Sequence, residues 1–225
     1  MTGMVQAPEP LSGEDIAGLF TRSDGSFLCA RWGRPLAPVV FGVTEESLAP
    51  LKGAVEAVAA LAGLDVAETD PELGANLMLF FVRDWGELSA TPGLDRLIPD
   101  LEALVARLER AEANQYRIFR FDAAGAIRAC FAFVRMDAHM RAVPADALAL
   151  TQAVQAILLW SDAAFSPEAP GRAAEPPLAR TPEGHAVLRP EVASVIRAAY
   201  DPVLPDVAQE ASHALRLEAR LPRPA

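Results

Sequence analysis

Residues 146–160 (DALALTQAVQAILLW) carry apolar side chains almost all the way round a helix. An ordinary surface helix keeps one polar face toward water, so a helix of this kind must be covered on nearly every side. A chain of 225 residues is long enough to supply that cover within one domain. The segment therefore predicts a central, buried helix with other elements packed around it.

Two apolar runs on either side of an amphipathic helix predict a β–α–β unit. Residues 36–43 are typical of a strand, and residues 45–62 place apolar side chains three and four positions apart before Gly63 ends the pattern. Residues 76–82 (NLMLFFV) are apolar throughout except for the first, which is typical of a strand buried on both faces.

The next segments predict a covering helix and a hairpin. Apolar side chains recur at helical spacing in residues 94–108, so we predict a helix over 94–113 whose stripe covers the sheet, with a dimer seam as the alternative use. Residues 116–121 and 127–136, joined by a turn at 122–125, predict a β-hairpin.

Taken together, these segments predict an α+β fold: a mixed sheet of about five strands, covered by helices around a buried central helix. The remaining strand is expected at 27–32, and the C-terminal helices at 191–200 and 207–220. Four regions follow one another along the chain: a flexible arm, the α+β core, a proline-rich loop, and C-terminal helices with a tail. Their bounds are 1–13, 14–166, 167–190 and 191–225.

The charge balance disfavours two classes of partner. The net charge is −10, and a surface of that sign repels phosphates, so we expect neither nucleic acid nor a membrane surface as a partner.

The N-terminus lacks the basic and apolar regions of a signal peptide. We expect a cytoplasmic protein, with the periplasm as the alternative if the start codon is misassigned.

Cys29 and Cys130 lie in separate apolar, strand-like runs, too far apart for a CxxC motif. We predict two buried, reduced thiols. A disulfide between adjacent strands is the alternative, and it would require an oxidising compartment.

Few residues are suited to catalysis. The chain has three histidines and no HExxH, GxSxG or P-loop motif, so we expect no metal and no cofactor. The remaining candidates are His139 with Asp137, just after the hairpin, and Asp162, which follows the central helix. A metal-dependent hydrolase would have to draw its ligands from these three residues.

Other polar residues are expected to be solvated or to form turns. His185 lies in the proline-rich loop, and His213 is expected to face water from a terminal helix. Asp84 and Glu87 follow the buried strand, where a plain turn is the preferred interpretation and a polar binding site the alternative.

Several short motifs occur in a fixed order over residues 27–82 and 148–204. They are Arg31-Trp32 with Arg34-Pro35, Leu61–Leu64, Ala75–Leu77, Leu150-Thr151-Gln152, Trp160-Ser161-Asp162 with Phe165, and Ala199-Tyr200-Asp201-Pro202. In this order they resemble a proteobacterial family, domain of unknown function 2927, which is grouped with zincin-like metallopeptidases. The resemblance implies a zincin-like scaffold.

The departures from that family concern the residues that would carry the chemistry. Members have two acids directly before the Leu-Thr-Gln triplet, where this chain has Leu148 and Ala149. Ser161 replaces an asparagine, and Val203 replaces an arginine. Without a carboxylate on the central helix, no obvious base would activate a water molecule.

The resemblance and its departures together imply a non-catalytic, zincin-like domain that acts by binding a protein or another ligand. Two alternatives remain open. One is a metal-dependent hydrolase with the unusual ligand set of Asp137, His139 and Asp162. The other is a homodimeric structural protein that pairs through residues 94–108.

Overall fold

A mixed sheet of four strands organises residues 10–222, the part of the chain that this computed structural model describes. The strands of the protein are β1 (Cys29–Ala30), β2 (Pro38–Phe41), β3 (Leu77–Val82), β4 (Gln115–Phe121), β5 (Ile127–Arg135), β6 (Leu178–Arg180), β7 (Ala186–Leu188) and β8 (Val207–Ala208). The main sheet has the order β2-β3-β5-β4, with β4 antiparallel to β5 and the other three strands parallel. This is the predicted α+β class, with four strands in the main sheet.

Helices cover both faces of this sheet. They are α1 (Gly13–Phe20), α2 (Glu45–Ala62), α3 (Gly86–Ser89), α4 (Leu94–Leu97), α5 (Leu101–Arg110), α6 (Ala138–Ala142), α7 (Ala145–Ile157), α8 (Pro190–Ala199) and α9 (His213–Glu218). The larger core, with α1, α2, α7 and α8, lies on one face, and α3 to α5 form a second core on the other.

Alternating side chains of β3 connect the sheet to both cores. Leu77, Leu79 and Phe81 belong to the core that contains α7, while Phe80 and Val82 belong to the core under α5. Successive side chains of a strand point to opposite faces, so a strand covered on both sides needs apolar residues at every position. The prediction of a strand buried on both faces is confirmed.

The predicted β–α–β unit is also confirmed. Strands β2 and β3 are parallel and are joined by α2, which packs against α7. Gly63 ends α2 with a φ of 67°, a left-handed conformation that glycine adopts without a steric penalty.

Helix α7 is the predicted central helix, and it ends at Ile157 rather than at Trp160. Eight of its 13 residues are buried. Leu158 follows with extended backbone angles and no exposed surface. The apolar residues at the end of the predicted helix are thus core residues in a segment that leaves the helix.

The predicted helix over 94–113 is wrong as one continuous element. It is divided into α4 and α5 because Pro99 lacks an N–H and disfavours a helical conformation in Ile98, whose backbone is extended. Most of the predicted stripe is buried against the sheet, but Leu97 is 47% exposed. The stripe covers the sheet, as the preferred interpretation predicted.

Three further expectations need correction. The predicted strand at 27–32 is reduced to β1, which pairs with β8 outside the main sheet. As a result, the predicted helix over 207–220 begins with a strand and becomes helical only at His213. The proline-rich loop contains a 3₁₀ turn at Gly171–Ala174 and the hairpin of β6 and β7.

The predicted N-terminal arm is too long at its C-terminal end. Residues 1–9 lie outside the described part of the chain, Leu11 is buried, and α1 begins at Gly13. Ser12 accepts a hydrogen bond from the Asp15 N–H, and the Asp15 carboxylate accepts one from the Ser12 N–H. This reciprocal pair is a capping box, with aspartate in the place of the usual glutamate.

We predict that Leu158→Ala lowers the free energy of unfolding by about 2–4 kcal/mol, because truncation removes buried methyl groups and leaves a cavity. Leu215, which is 60% exposed, supplies the control. Leu215→Ala should change the free energy of unfolding by less than about 0.5 kcal/mol. Urea unfolding measures both values. Equal losses in the two variants would contradict the burial described here.

Candidate functional site

Two tryptophan side chains bind the carbonyl groups that α7 leaves free at its C-terminal end. Trp160 Nε1 donates to the Val154 carbonyl at 2.7 Å, and Trp32 Nε1 donates to the Ala156 carbonyl at 2.9 Å. The last four carbonyls of a helix have no partner within the helix, and burying them unpaired is costly.

Tyr200 satisfies a third carbonyl at the same helix end. Its hydroxyl donates to the Ile157 carbonyl at 2.7 Å and accepts from the Trp32 N–H at 3.3 Å. The Arg31 guanidinium carbon lies 5.6 Å from the centre of the Tyr200 ring. Burial raises the pKa of Tyr200 above its ordinary value, so the hydroxyl keeps its proton.

Arg31 ties the end of α8 to the same region. Its Nε donates to the Asp206 carboxylate at 2.7 Å, and its two terminal nitrogens donate to the carbonyls of Ala199, Asp201 and Leu204 at 3.0–3.2 Å. A positive charge at this position also interacts favourably with the negative C-terminal end of the α8 dipole. The motif residues 31–32 and 199–201 therefore have structural roles.

The chain that leaves α7 is held against the N-terminal part of the protein. The Leu159 N–H donates to the Ala30 carbonyl at 2.9 Å, and the Ser161 N–H donates to the Leu19 carbonyl at 2.8 Å. The Ser161 hydroxyl donates to the Thr21 carbonyl at 2.6 Å. Ser161 is therefore a bridge between segments, and its hydroxyl proton is already engaged.

Asp162 has a similar structural role. Its carboxylate accepts hydrogen bonds from the Ser23 N–H at 2.9 Å and the Ser23 hydroxyl at 2.5 Å. The hydrogen bond from the Ser23 hydroxyl is the main reason that the pKa of Asp162 lies below its ordinary value. The charged carboxylate holds the turn after α1 in place.

Asp137 and His139 do not form a ligand set with Asp162. Asp137 caps α6 by accepting a hydrogen bond from the Met140 N–H at 2.8 Å. Its Oδ2 lies 3.7 Å from Nη2 of Arg135. His139 is exposed on the same short helix. Within residues 10–222, no group of three or more histidine, cysteine, aspartate or glutamate side chains is close enough to hold a metal ion.

The expectation that His213 faces water is wrong. Its side chain is 4% exposed, and its Nδ1 has no hydrogen-bond partner in the described structure. Burial lowers the pKa of His213, and the charges of Arg216 and Arg220 lower it further. His185 is exposed in the turn that joins β6 to β7, directly before Ala186.

The two remaining sequence expectations are met. Cys29 and Cys130 are free and buried, and burial raises the pKa of each thiol to about 12. Such thiols are uncharged and poorly reactive at neutral pH. Asp84 and Glu87 form the turn into α3, where Glu87 pairs with Arg83 at 2.7 Å.

A cleft of about 460 Å³ opens beside the end of α7, and we take it as the candidate site. One wall is the face of β4 that carries Gln115, Arg117 and Phe119. The opposite wall combines Gln155 of α7 with residues 159–165. The hydrogen bonds that end α7 and hold the following loop therefore also position this wall.

Arg117 is the most unusual residue of the cleft. One terminal nitrogen, Nη2, donates to the amide oxygens of Gln115 and Gln152, and Nε is buried without a partner. The guanidinium forms no ion pair with any carboxylate among residues 10–222. Burial lowers its pKa to about 10, so the group is charged at neutral pH.

Two neighbours of Arg117 have similarly incomplete hydrogen bonding. Gln155 contributes a buried amide oxygen without a hydrogen-bond partner in the described part of the chain. Arg22 is half-buried at the cleft, and its guanidinium makes no hydrogen bond or ion pair within 10–222. Unsatisfied buried side-chain atoms are rare in folded proteins, and two of the five in residues 10–222, Arg117 Nε and Gln155 Oε1, lie at this cleft.

A second groove of about 380 Å³ lies at the opposite edge of the sheet, between β2 and α2. Its lining is mostly apolar and includes Val40, Leu48 and Val66, with Lys52 and Glu56 at the surface. No buried side-chain nitrogen or oxygen in the described part of this lining lacks a hydrogen-bond partner. The groove therefore carries less information about a ligand than the cleft beside β4.

Comparisons with known protein families, with curated proteins and with solved structures found no match. The resemblance to domain of unknown function 2927 therefore stays a prediction.

Sequence reasoning missed Arg117 and Gln155 as site residues. The available signal was a charged residue, Arg117, in the middle of a strand whose neighbours Tyr116, Ile118 and Phe119 are aromatic or aliphatic. A strand residue with that pattern faces water, is buried with a charged partner, or is buried without one. The sequence alone does not distinguish these cases.

We predict that Tyr200→Phe lowers the free energy of unfolding by about 1–3 kcal/mol, because the Ile157 carbonyl loses its buried donor. Tyr116→Phe is the matched control: it removes a hydroxyl that bonds only the exposed Arg107 side chain. Its effect should stay below about 0.5 kcal/mol. Thermal and urea unfolding compare the two variants, and a harmless Tyr200→Phe would contradict the role assigned to Tyr200.

We predict that the double variant Leu148→Glu with Ala149→Glu is destabilised by at least about 2 kcal/mol and gains no zinc, because both acids would replace buried side chains. Ala145→Glu, at an exposed position of the same helix, is the control and should unfold like the parent. Urea unfolding and metal analysis test this. A double variant that folds normally and takes up stoichiometric zinc would refute it.

Proposed function

We propose that this protein is a non-catalytic binding domain whose cleft beside β4 receives an anionic group, such as a carboxylate. The observation that carries the proposal is Arg117, a charged and largely enclosed guanidinium without a carboxylate partner in residues 10–222. Enclosing an uncompensated charge costs stability. A bound anion would offset that cost, because hydrogen bonds between a guanidinium and a carboxylate or phosphate are strengthened by their opposite charges.

The position of Arg22 supports the same ligand charge. It lines the cleft together with Arg117 and also has no carboxylate partner among the described residues. The one acidic side chain of the described lining, Asp162, accepts hydrogen bonds from Ser23 and keeps its negative charge. Two arginines and one aspartate therefore leave the lining with a net positive charge. The cleft therefore favours an anion within a chain whose net charge is −10.

The aromatic wall indicates that the ligand also has an apolar part. Trp160 and Phe165 both line the cleft and pack edge to face, with ring centres 5.1 Å apart. Aromatic surface next to a few fixed polar groups is the usual composition of a ligand site.

The proposal that binding occurs without catalysis has separate support. The described lining of the cleft contains neither histidine nor cysteine, and the Ser161 hydroxyl and Asp162 carboxylate are engaged in structural hydrogen bonds. Leu148 and Ala149 are buried, so the helix face that the family resemblance assigns to acids is used for packing. These features fit a zincin-like scaffold that has lost its chemistry.

A homodimer that paired through residues 94–108 is less well supported. Most of that stripe forms the second core with the sheet, so pairing through it would expose Phe80 and Phe133. Within residues 10–222, no helix combines the length and hydropathy that crossing a membrane requires. The two buried free thiols fit the cytoplasm, which we retain as the proposed compartment.

The test is a titration with glutarate and with inorganic phosphate. Binding is monitored through the NMR signals of the arginine Nε–H groups. We expect saturable binding of at least one probe and a loss of about tenfold or more in Arg117→Gln, because a hydrogen bond to a charged group contributes about 1.5–3 kcal/mol. Arg197→Gln, which changes an exposed arginine of α8, should bind like the parent.

The same variants distinguish a binding role from a structural one. If Arg117 is an uncompensated charge, the unfolding midpoint of Arg117→Gln should equal or exceed that of the parent. If Arg117 has a structural role, its removal should lower the midpoint. Failure of both anions to bind the parent protein, or equal binding by the parent and Arg117→Gln, would overturn the proposed function.

A further inference from the structure

Strand β4 presents its side chains to two different clefts. Gln115, Arg117 and Phe119 line the candidate cleft on one face of the sheet. Tyr116, Ile118 and Arg120 line a second cleft of about 530 Å³ on the other face, beside α5. This is the alternation expected of a regular strand, and the register with β5 is continuous from 115 to 120.

Positive charge is concentrated along both sides of this strand. Arg22 and Arg117 line the first cleft, and Arg107, Arg110 and Arg120 line the second, where Asp100 supplies an acid. None of these five arginines lies within 4 Å of a carboxylate in the described structure. Elsewhere in residues 10–222, some arginines such as Arg31 and Arg34 are paired with acids, whereas others such as Arg197 are not.

The backbone of β4 is also free on one side. It is an edge strand of the main sheet and pairs only with β5 among the described elements. No other backbone group in residues 10–222 hydrogen-bonds to positions 115–121. An unprotected edge strand displays a row of N–H and C=O groups that can pair with another chain.

We propose that the outer edge of β4 binds an extended, acidic segment of another protein, which adds to the sheet as a fifth strand. This inference rests on the proposed function, because the Arg117 cleft is one of the two pockets that the added strand would use. The backbone of the added segment pairs with β4, and its alternating side chains enter the two clefts.

The two arginines on β4 set the spacing of the acids in that segment. Arg117 and Arg120 are three positions apart, so their side chains lie on opposite faces of the sheet. In a partner strand, acids at positions i and i+3 also lie on opposite faces and reach both arginines. Acids at i and i+2 lie on one face and reach one of them.

A peptide fits these observations better than a nucleic acid. The phosphate backbone cannot form the ladder of N–H and C=O hydrogen bonds that the edge of β4 offers. The chain also carries a net charge of −10, which opposes a partner with a dense run of phosphates. An acidic peptide with apolar residues between its acids suits the apolar and basic side chains that line both clefts.

The experiment compares three capped peptides of about nine residues, the length of an ordinary strand plus its flanks. They share a threonine and valine background: the first has glutamates at i and i+3, the second at i and i+2, and the third has none. Binding is followed by fluorescence anisotropy. We expect the first peptide to bind tightest and the third not to bind at low salt.

Substitutions should affect the first peptide unequally. Arg117→Gln should weaken its binding by about tenfold, since this side chain is largely enclosed. Arg120→Gln should weaken it by about two- to fivefold, because Arg120 is exposed. Arg197→Gln, remote from β4, should have no effect. Equal affinity of the first and second peptides would overturn the predicted register and with it the proposal.

Backbone methylation tests strand addition separately from charge. The first peptide is N-methylated at alternate residues in two versions, so that the methyl groups face β4 in one version and solvent in the other. The version whose methyl groups face β4 should lose binding, and the version whose methyl groups face solvent should keep it. Retention by both, or competition by a single-stranded oligonucleotide at the same affinity, would overturn the proposal.

The titration with glutarate distinguishes a failure of strand addition from a failure of the proposed anion site. If glutarate or phosphate binds through Arg117 and no peptide binds, the proposed function stands and strand addition fails. If peptide binding is insensitive to Arg117→Gln, the anion site itself is wrong.

Discussion

The C-terminal end of α7 is the constraint on which the rest of the structure depends. A helix with apolar residues on nearly every side can be buried, but its last carbonyls still require hydrogen-bond donors in a region that water does not reach. Trp32, Trp160 and Tyr200 supply these donors from three separate parts of the chain. Trp32 and Tyr200 each bring a distant segment to the helix end, so ending α7 also joins the N-terminal region to α8.

The same arrangement creates the candidate site. Because α7 stops at Ile157, the following residues run out in extended form and become one wall of the cleft beside β4. The other wall contains Arg117, whose charge is enclosed by glutamine side chains rather than by acids. A scaffold optimised for stability alone would be expected to replace this arginine with an apolar residue. Its presence is most simply explained by an anion that binds there.

Patterns confined to one stretch of sequence predicted their elements well. The β–α–β unit, the hairpin of β4 and β5 and the buried strand β3 each depend on a local periodicity that burial imposes directly. Interactions between distant residues were not predictable in this way. The pairing of β1 with β8 joins segments about 180 positions apart, and the burial of His213 depends on how α9 packs. The role of Arg117 likewise depends on its lack of an ion-pair partner within residues 10–222, which only the three-dimensional arrangement reveals.

The central claim is that ligands bind at the cleft formed by β4 and the end of α7. The most direct measurement is a map of backbone amide NMR shifts during a titration with glutarate. The account predicts saturable shifts in residues 115–121 and 159–165, with little change in residues 38–41 and 48–56 at the opposite edge of the sheet. Shifts concentrated at that opposite edge, or no saturable shifts at all, would contradict it.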